Sequence, residues 1–163
     1  MIGKKVSHFQ ILDKIGQGGM GVVYLAEDTR LKRTVALKFL PSHLLGDDQE
    51  KARFIHEAQA AAKLEHPNIC TVYEIDDAEG ETFIAMAYID GASLKETIAS
   101  GPLPLENAIA YAMQIGRGLH EAHTNDVVHR DVKPANVVVS DKGHAIVMDF
   151  GLAKLKGQTK LTR

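Results

Sequence analysis

Residues 129–136 read HRDVKPAN, and a further carboxylate, Asp149, follows in MDFG. Asp131, Lys133 and Asn136 are thus set close together in one short stretch, directly before a run of valines. Carboxylate and amide oxygens are hard ligands suited to Mg²⁺, which keeps part of its water and is often completed by substrate phosphates. One carboxylate of such a set can orient a hydroxyl nucleophile while the other holds the ion. Lys133 can neutralise a phosphoryl group in transfer. Taken singly, each residue also suits a turn, since Asp and Asn favour turns and Gly151 would follow one naturally. Their joint order favours chemistry.

Two more features bear on phosphate. GQGGMG, Gly16 to Gly21, has the G-x-G-x-x-G spacing. Glycine lets backbone N–H groups approach phosphate oxygens with no Cβ in the way. A dinucleotide-binding turn would need a helix next, but VVYLAED reads as a strand. A Walker loop would need Lys after its last glycine, where Val22 stands. A glycine-rich hairpin over a ligand remains, as does an ordinary glycine-rich β-turn. Lys38 lies in the apolar strand VALKFL, and Glu57 lies between Phe54 and Ala61 of a helical stripe. Burying both charges is tolerable if they pair, and a lysine so held can present its ammonium to phosphate. Alternatively, Lys38 snorkels to solvent and Glu57 marks the edge of the stripe. HEAH (His120 to His123) is one residue short of the zinc-helix spacing.

The elements that must position these residues follow from periodicity. FQILDKI, VVYLAED and RTVALKFL read as strands, with Val35, Leu37 and Phe39 on one face and Ala36, Lys38 and Leu40 on the other. A helix is predicted from Asp48 to Leu64, with Phe54, Ala58, Ala61 and Ala62 as its stripe and Pro67 ending it. ICTVYEI and TFIAMAYI read as strands joined at Asp76–Gly80. SLKETIAS is a short helix. A longer one runs from Leu105 to Thr124 with Leu105, Ala108, Ile109, Ala112, Ile115 and Leu119 on one face. Short strands are predicted at Val137–Val139 and in AIVM. The fold class is α+β: a five-stranded antiparallel sheet with one helix, then a mainly helical part. The boundary is placed near Ile89–Ser93.

The totals narrow the setting. The 163 residues are 45% hydrophobic with a formal charge of -2, which gives no case for nucleic acid or an anionic membrane surface. Cys70 is the single cysteine, so no intrachain disulfide forms. No apolar run approaches the roughly 20 residues that cross a bilayer. The N-terminus lacks the apolar stretch of a signal peptide. A cytoplasmic protein is expected.

In order, the glycine loop, strand lysine, helix glutamate, H-R-D loop with Asn, and D-F-G resemble the eukaryotic-type protein kinases, in particular the bacterial serine/threonine kinases of that superfamily. The resemblance runs from about Ser7 to the last residue. It implies ATP- and Mg²⁺-dependent transfer of a γ-phosphoryl group to serine or threonine hydroxyls of a protein, in signal transduction. It implies an N-lobe at residues 1–90 and a partial C-lobe at 91–163. Ile15, Gly16, Gln17, Gly18, Gly19 and Gly21 would cover the phosphates. Lys38 would contact them, paired with Glu57. Adenine would lie between Val23 and Ala36 on one side and Val138 on the other, with Met86 as gatekeeper. Its edge would meet the backbone of Ala87, Tyr88 and Ile89. Asp131 would orient the hydroxyl and accept its proton, Lys133 would steady the γ-phosphate, and Asn136 and Asp149 would hold Mg²⁺. His129 and Phe150 would belong to a hydrophobic spine, and Arg130 would clamp an activation-loop phosphate, with Thr159 and Thr162 as weak phosphosite candidates. Ala87 departs from the Glu often found in family hinges. The chain stops at Arg163, soon after D-F-G and before an A-P-E segment. A non-catalytic nucleotide-binding or scaffolding fragment is therefore a second reading. Self-association through the exposed face of Leu105–Leu119 is expected.

Overall fold

The computed structural model describes residues 1–18, 21–40 and 48–150. Gly19, Thr159 and Thr162 lie outside the described residues, as do the side chains of Phe54 and Glu57. The chain forms two compact units. Among the described residues, one comprises Met1–Gln59 and Val72–Tyr88, and the other Ala60–Thr71 and 89–150.

The first unit is built on an antiparallel sheet. Its strands are β1 (Lys5–Val6), β2 (Phe9–Gly18), β3 (Gly21–Asp28), β4 (Arg33–Leu40), β5 (Val72–Ala78) and β6 (Glu81–Ala87), with α1 (Asp48–Ala61) between β4 and β5. The spatial order is β1-β2-β3-β4-β6-β5, so β1 adds a two-residue edge to the five expected strands. Register explains why β4 is buried on both faces from Val35 to Leu40. One row joins Val22, Phe39 and Phe83, and the next on that face joins Tyr24, Leu37 and Ala85. Leu37, Phe39, Phe83 and Ala85 join Val6, Phe9, Ile11, Ala26 and Val35 in the core of the unit, with Tyr24 packed against it. Phe9 meets Phe83 edge-on, with ring centroids 5.9 Å apart, and Tyr24 meets Phe39 likewise at 5.7 Å. Such contacts add about 0.5–1.5 kcal/mol beyond area burial. The other face carries the rows Val23–Lys38–Ile84 and Leu25–Ala36–Met86.

Turn chemistry closes the hairpins. Asp28 ends β3 buried, and its Oδ1 accepts the N–H groups of Arg30 and Leu31, both at 3.0 Å. Its other oxygen meets Arg33 Nε at 3.4 Å. β5 and β6 join through Glu79 and Gly80, both at positive φ (54° and 82°), as a two-residue type I′ turn requires. The strand therefore runs through Asp76 and Asp77 to Ala78, past the expected start of the turn.

The second unit holds α2 (Leu94–Ala99), α3 (Leu105–Thr124), a 3-10 turn (Pro134–Asn136), and the strands β7 (Gly91–Ser93), β8 (Val137–Ser140) and β9 (Ala145–Val147) in the order β7-β8-β9. Ser93 caps α2 through a capping box with Glu96. β7 lies so close to β8 that a Cβ on Gly91 would stand 2.1 Å from the Val139 carbonyl oxygen. The outer edge of β9 is closed by residues 68–70, part of the stretch predicted as strand ICTVYEI. Val147 N–H donates to Asn68 O and Cys70 N–H donates to Val147 O, both at 2.9 Å. Ala61, Leu64, Ile69, Ala122, Val127, Val147 and Phe150 form the core there.

The α3 face expected to lie exposed from Leu105 to Leu119 is exposed only in part. Ile115 and Leu119 do pack inward, with Gly118 and Ala122 buried beside them, but Leu105, Ile109 and Ala112 are exposed. At 3.6 residues per turn the centre of the arc formed by Ile115, Gly118, Leu119 and Ala122 lies about 110° from the arc of Leu105 and Ile109. Gly118 and Ala122 lie near its centre and Gln114 at its margin. No helix among the described residues is long and apolar enough to cross a membrane.

Candidate functional site

In the first unit, the glycine stretch is a hairpin tip. Gly16 pairs with Val23, Gln17 with Val22, and Gly18 with Gly21. Gly21 has φ 117°, a conformation side chains avoid, so the turn itself demands glycine there. Gly16 differs. A Cβ on it would meet only Val23, at an ordinary 3.7 Å. Nothing in the described fold requires a glycine at Gly16. Ile15 and Gln17 are exposed.

Lys38 is 5% exposed on an interior strand, not at a solvent edge. It shares its face with Val23, Ala36, Ile84 and Met86, of which Ala36, Ile84 and Met86 are also buried. A buried ammonium on an apolar face is costly without an anionic or polar partner. Glu57 lies on α1, and its side chain is outside the described residues. Ala87 and Tyr88 end this unit and Ile89 begins the next. Ala87 and Ile89 are partly buried and Tyr88 is exposed.

The second unit gathers Asp131, Lys133 and Asn136. Lys133 Nζ lies 2.6 Å from Asp131 Oδ2. Asn136 Nδ2 donates to the Asp131 carbonyl at 2.8 Å and to Asp131 Oδ2 at 3.2 Å. The amide nitrogen of Asn136 is thereby committed, which leaves its carbonyl oxygen as the atom suited to a cation. The 3-10 turn supplies the local reason for the spacing. Pro134 starts it, and Asn136 N–H closes onto Lys133 O at 2.9 Å, bringing Asn136 back over Asp131.

His129 ties this loop to the segment between β9 and Asp149. Its Nε2 lies 2.6 Å from the Met148 carbonyl oxygen, which can only accept. Nε2 therefore holds the proton, and Nδ1 is the lone pair that accepts Asp131 N–H at 3.2 Å. The ring, 1% exposed, sits edge-on to Phe150 with centroids 4.7 Å apart. Met148 N–H also donates to Asn136 O at 2.8 Å. Asp149 and Arg130 have φ of 59° and 64°, left-handed values that cost energy for residues with side chains and persist where neighbours over-determine the backbone. Asp149 is partly buried, and Val138 pairs with Ile146 in β8 and β9. One carboxylate and one amide oxygen, both hard, fit a Mg²⁺ ion that retains water, though no cluster of three or more His, Cys, Asp or Glu side chains is set to hold a metal among the described residues. Sequence spacing did not reveal the His129 bridge, although two polar ring nitrogens before an Asp were its one visible sign.

A family model described as protein kinase domain matches residues 9–163. The chain is 43% identical over 164 residues to the serine/threonine-protein kinase PrkC of Bacillus subtilis, covering 99% of this chain and 25% of that protein. It is 39% identical over 163 residues to the serine/threonine-protein kinase PknD of Mycobacterium tuberculosis, covering 99% of this chain and 24% of that protein. The chain thus spans about a quarter of the length of these curated relatives. The crystal structure of the Mycobacterium tuberculosis PknI kinase domain superposes with a TM-score of 0.86 at 32% identity, over 94% of this chain and 62% of that one. The glycine hairpin, the buried strand lysine and the Asp131–Asn136 loop therefore sit in a fold and a sequence that belong to the protein kinase domain family.

Proposed function

We propose that this chain carries the ATP- and Mg²⁺-dependent transfer of a γ-phosphoryl group to a serine or threonine hydroxyl of a protein. The observation that carries the reading is the convergence of Lys133 and Asn136 on one oxygen of Asp131. That convergence fixes the carboxylate and keeps a cation beside it. Asp131 orients the hydroxyl and takes its proton, and Lys133 moves its charge onto the phosphoryl group in transfer. Positioning and charge neutralisation supply most of the catalysis in such transfers. The carbonyl oxygen of Asn136 and the carboxylate of Asp149 would hold Mg²⁺, which when bound neutralises charge on the phosphates. In the first unit, the backbone around Gly16, Gly18, Gly19 and Gly21 binds phosphate. The unforced glycine at Gly16 supports this, because a ligand's close approach gives it a reason. Lys38, paired with Glu57, contacts the α- and β-phosphates. In the first unit, Val23, Ala36, Met86 and the backbone of Ala87 and Tyr88 receive the adenine. The two units correspond to kinase lobes, and the site works in the cytoplasm.

Calorimetric titration of ATP, with and without Mg²⁺, beside Lys38→Ala and Asp149→Ala, tests the nucleotide site. Saturable binding, tightened by Mg²⁺ and weakened by both changes, is expected. Phosphotransfer to a generic Ser/Thr protein substrate should vanish in Asp131→Asn. Absence of binding by a folded sample overturns the proposal, and binding without transfer leaves a nucleotide-binding scaffold. Self-association through the α3 face bearing Leu105, Ile109 and Met113, all more than half exposed, belongs to the same proposal. Sedimentation of a monomer at every concentration overturns that part.

A further inference from the structure

The strand that leads to Asp149 is held by side chains far away in sequence. Ala145 N–H donates to Gln114 Oε1 at 2.8 Å. The Ala145 carbonyl accepts Asn68 Nδ2 at 2.8 Å, and that same Nδ2 donates to Gln114 Oε1 at 3.1 Å. The amide oxygen of Gln114 therefore binds both Ala145 and the side chain that binds Ala145. Two residues on, both backbone groups of Val147 are taken by Asn68 and Cys70, and the next residue, Met148, is taken by Asn136 and His129. The outward-facing backbone groups of β9, at Ala145 and Val147, are thus occupied, and Met148 extends the pairing on the β8 side up to the residue before Asp149. α3 is pressed close enough for this contact because residue 118 is glycine: a Cβ there would stand 2.8 Å from Asn68 O.

We propose that Gln114 is a positioning residue for the metal-binding carboxylate: by joining Asn68 to both backbone groups of Ala145, it fixes the register from which Asp149 is presented. This rests on the reading of Asp149 as a Mg²⁺ ligand. The chemistry fits the role. A glutamine oxygen has two lone pairs, and both are used here by N–H donors. Outer groups that orient a metal ligand typically matter to metal affinity by about 10–100-fold. Gln114 lies on the α3 face where apolar packing would otherwise be expected, so its polarity has no other evident use.

Gln114→Leu and Gln114→Glu in the intact protein test this. Leucine keeps the volume and removes the acceptor, while the glutamate carboxylate can accept both bonds. ADP binding is measured by calorimetry in EDTA and across a Mg²⁺ titration, and amide exchange is followed at Ala145. Gln114→Leu should lose about tenfold or more of the Mg²⁺-dependent tightening while binding in EDTA stays within about twofold, with Ala145 exchange accelerated. Gln114→Glu should restore the Mg²⁺ response. Unchanged Mg²⁺ dependence in Gln114→Leu overturns the proposal, as does an equal loss with and without Mg²⁺, which would mean a merely structural role. If the unsubstituted protein binds ADP with no Mg²⁺ response, the metal reading fails and this proposal with it.

Discussion

Replacing His129 by phenylalanine isolates what its two nitrogens contribute. The ring is 1% exposed, and phenylalanine of similar shape keeps the packing and the edge contact with Phe150. The change therefore opens no cavity. It removes the donor 2.6 Å from the Met148 carbonyl and the acceptor 3.2 Å from Asp131 N–H. Each buried polar group left unmade costs about 1–3 kcal/mol, so the loss should be about 2–5 kcal/mol. Domains of this kind are stable by only about 5–15 kcal/mol. Urea unfolding followed by far-UV circular dichroism reads the effect. With a slope of about 2 kcal/mol per M, a 3 kcal/mol loss lowers the midpoint by about 1.5 M. A midpoint shift under about 0.3 M at constant slope would refute the idea that His129 satisfies two backbone groups.

Two glycines of α3 should respond with opposite signs. A Cβ on Gly116 meets nothing within 4 Å, so Gly116→Ala should gain up to about 1 kcal/mol of helix stability, whereas Gly118→Ala forces α3 from Asn68 and should lose about 1–3 kcal/mol; thermal melts of both variants check this. Burial pushes the Asp28 carboxyl up, but the N–H groups of Leu31 and Arg30, the charge of His8 and the Arg33 guanidinium outweigh it and hold the group below the usual carboxylate value. Its stabilisation is present above the unfolded value of about 3.9 and is lost as pH falls through the lower folded value. Asp28→Asn should thus be less stable at neutral pH and lose less on acidification below about pH 4; identical acid limbs of stability in the two proteins contradict this. Ser93→Ala removes the hydroxyl that accepts Glu96 N–H, keeps the backbone N–H that donates to the Glu96 carboxylate, and should cost about 1 kcal/mol, read from the shift in urea midpoint.

How much was legible depended on distance along the chain. Asp131, Lys133 and Asn136 lie within one loop, so their spacing alone fixed their meeting once Pro134 set the turn. Alternation in RTVALKFL likewise placed Lys38 with Ala36, because a strand's faces follow from its period. The β5–β6 turn was misplaced because Asp76 and Asp77 resemble turn residues, yet only Glu79 and Gly80 adopt positive φ. α3 was legible as a helix, but the contacts that seat it were not. Its apolar residues cover more of the helix than is buried, and the deciding contacts come from Gln114 and Gly118 against Asn68, 46 residues from Gln114. No local pattern encodes a partner that remote. Ile69 and Cys70 were read as the start of a strand of the first sheet for the same reason: their partner, Val147, lies on a strand far downstream.

The stretch that closes the edge of β9 also sets an order of events at the ribosome. Residues 68–70 leave the exit tunnel long before their partner exists, since Asn68 and Ala145 are 77 residues apart. At about 5–20 residues per second, that interval lasts roughly 4–15 s. β5 and β6 follow directly and can complete the first sheet in the meantime, while Asn68 and Cys70 still bond to water. Only when β9 emerges can the chain fold back to the segment between α1 and β5 and close the second unit. A nascent chain of this protein therefore does not dock its segments in the order in which they are translated. It carries an unfilled docking strip in its middle, which β9, made much later, comes back to occupy.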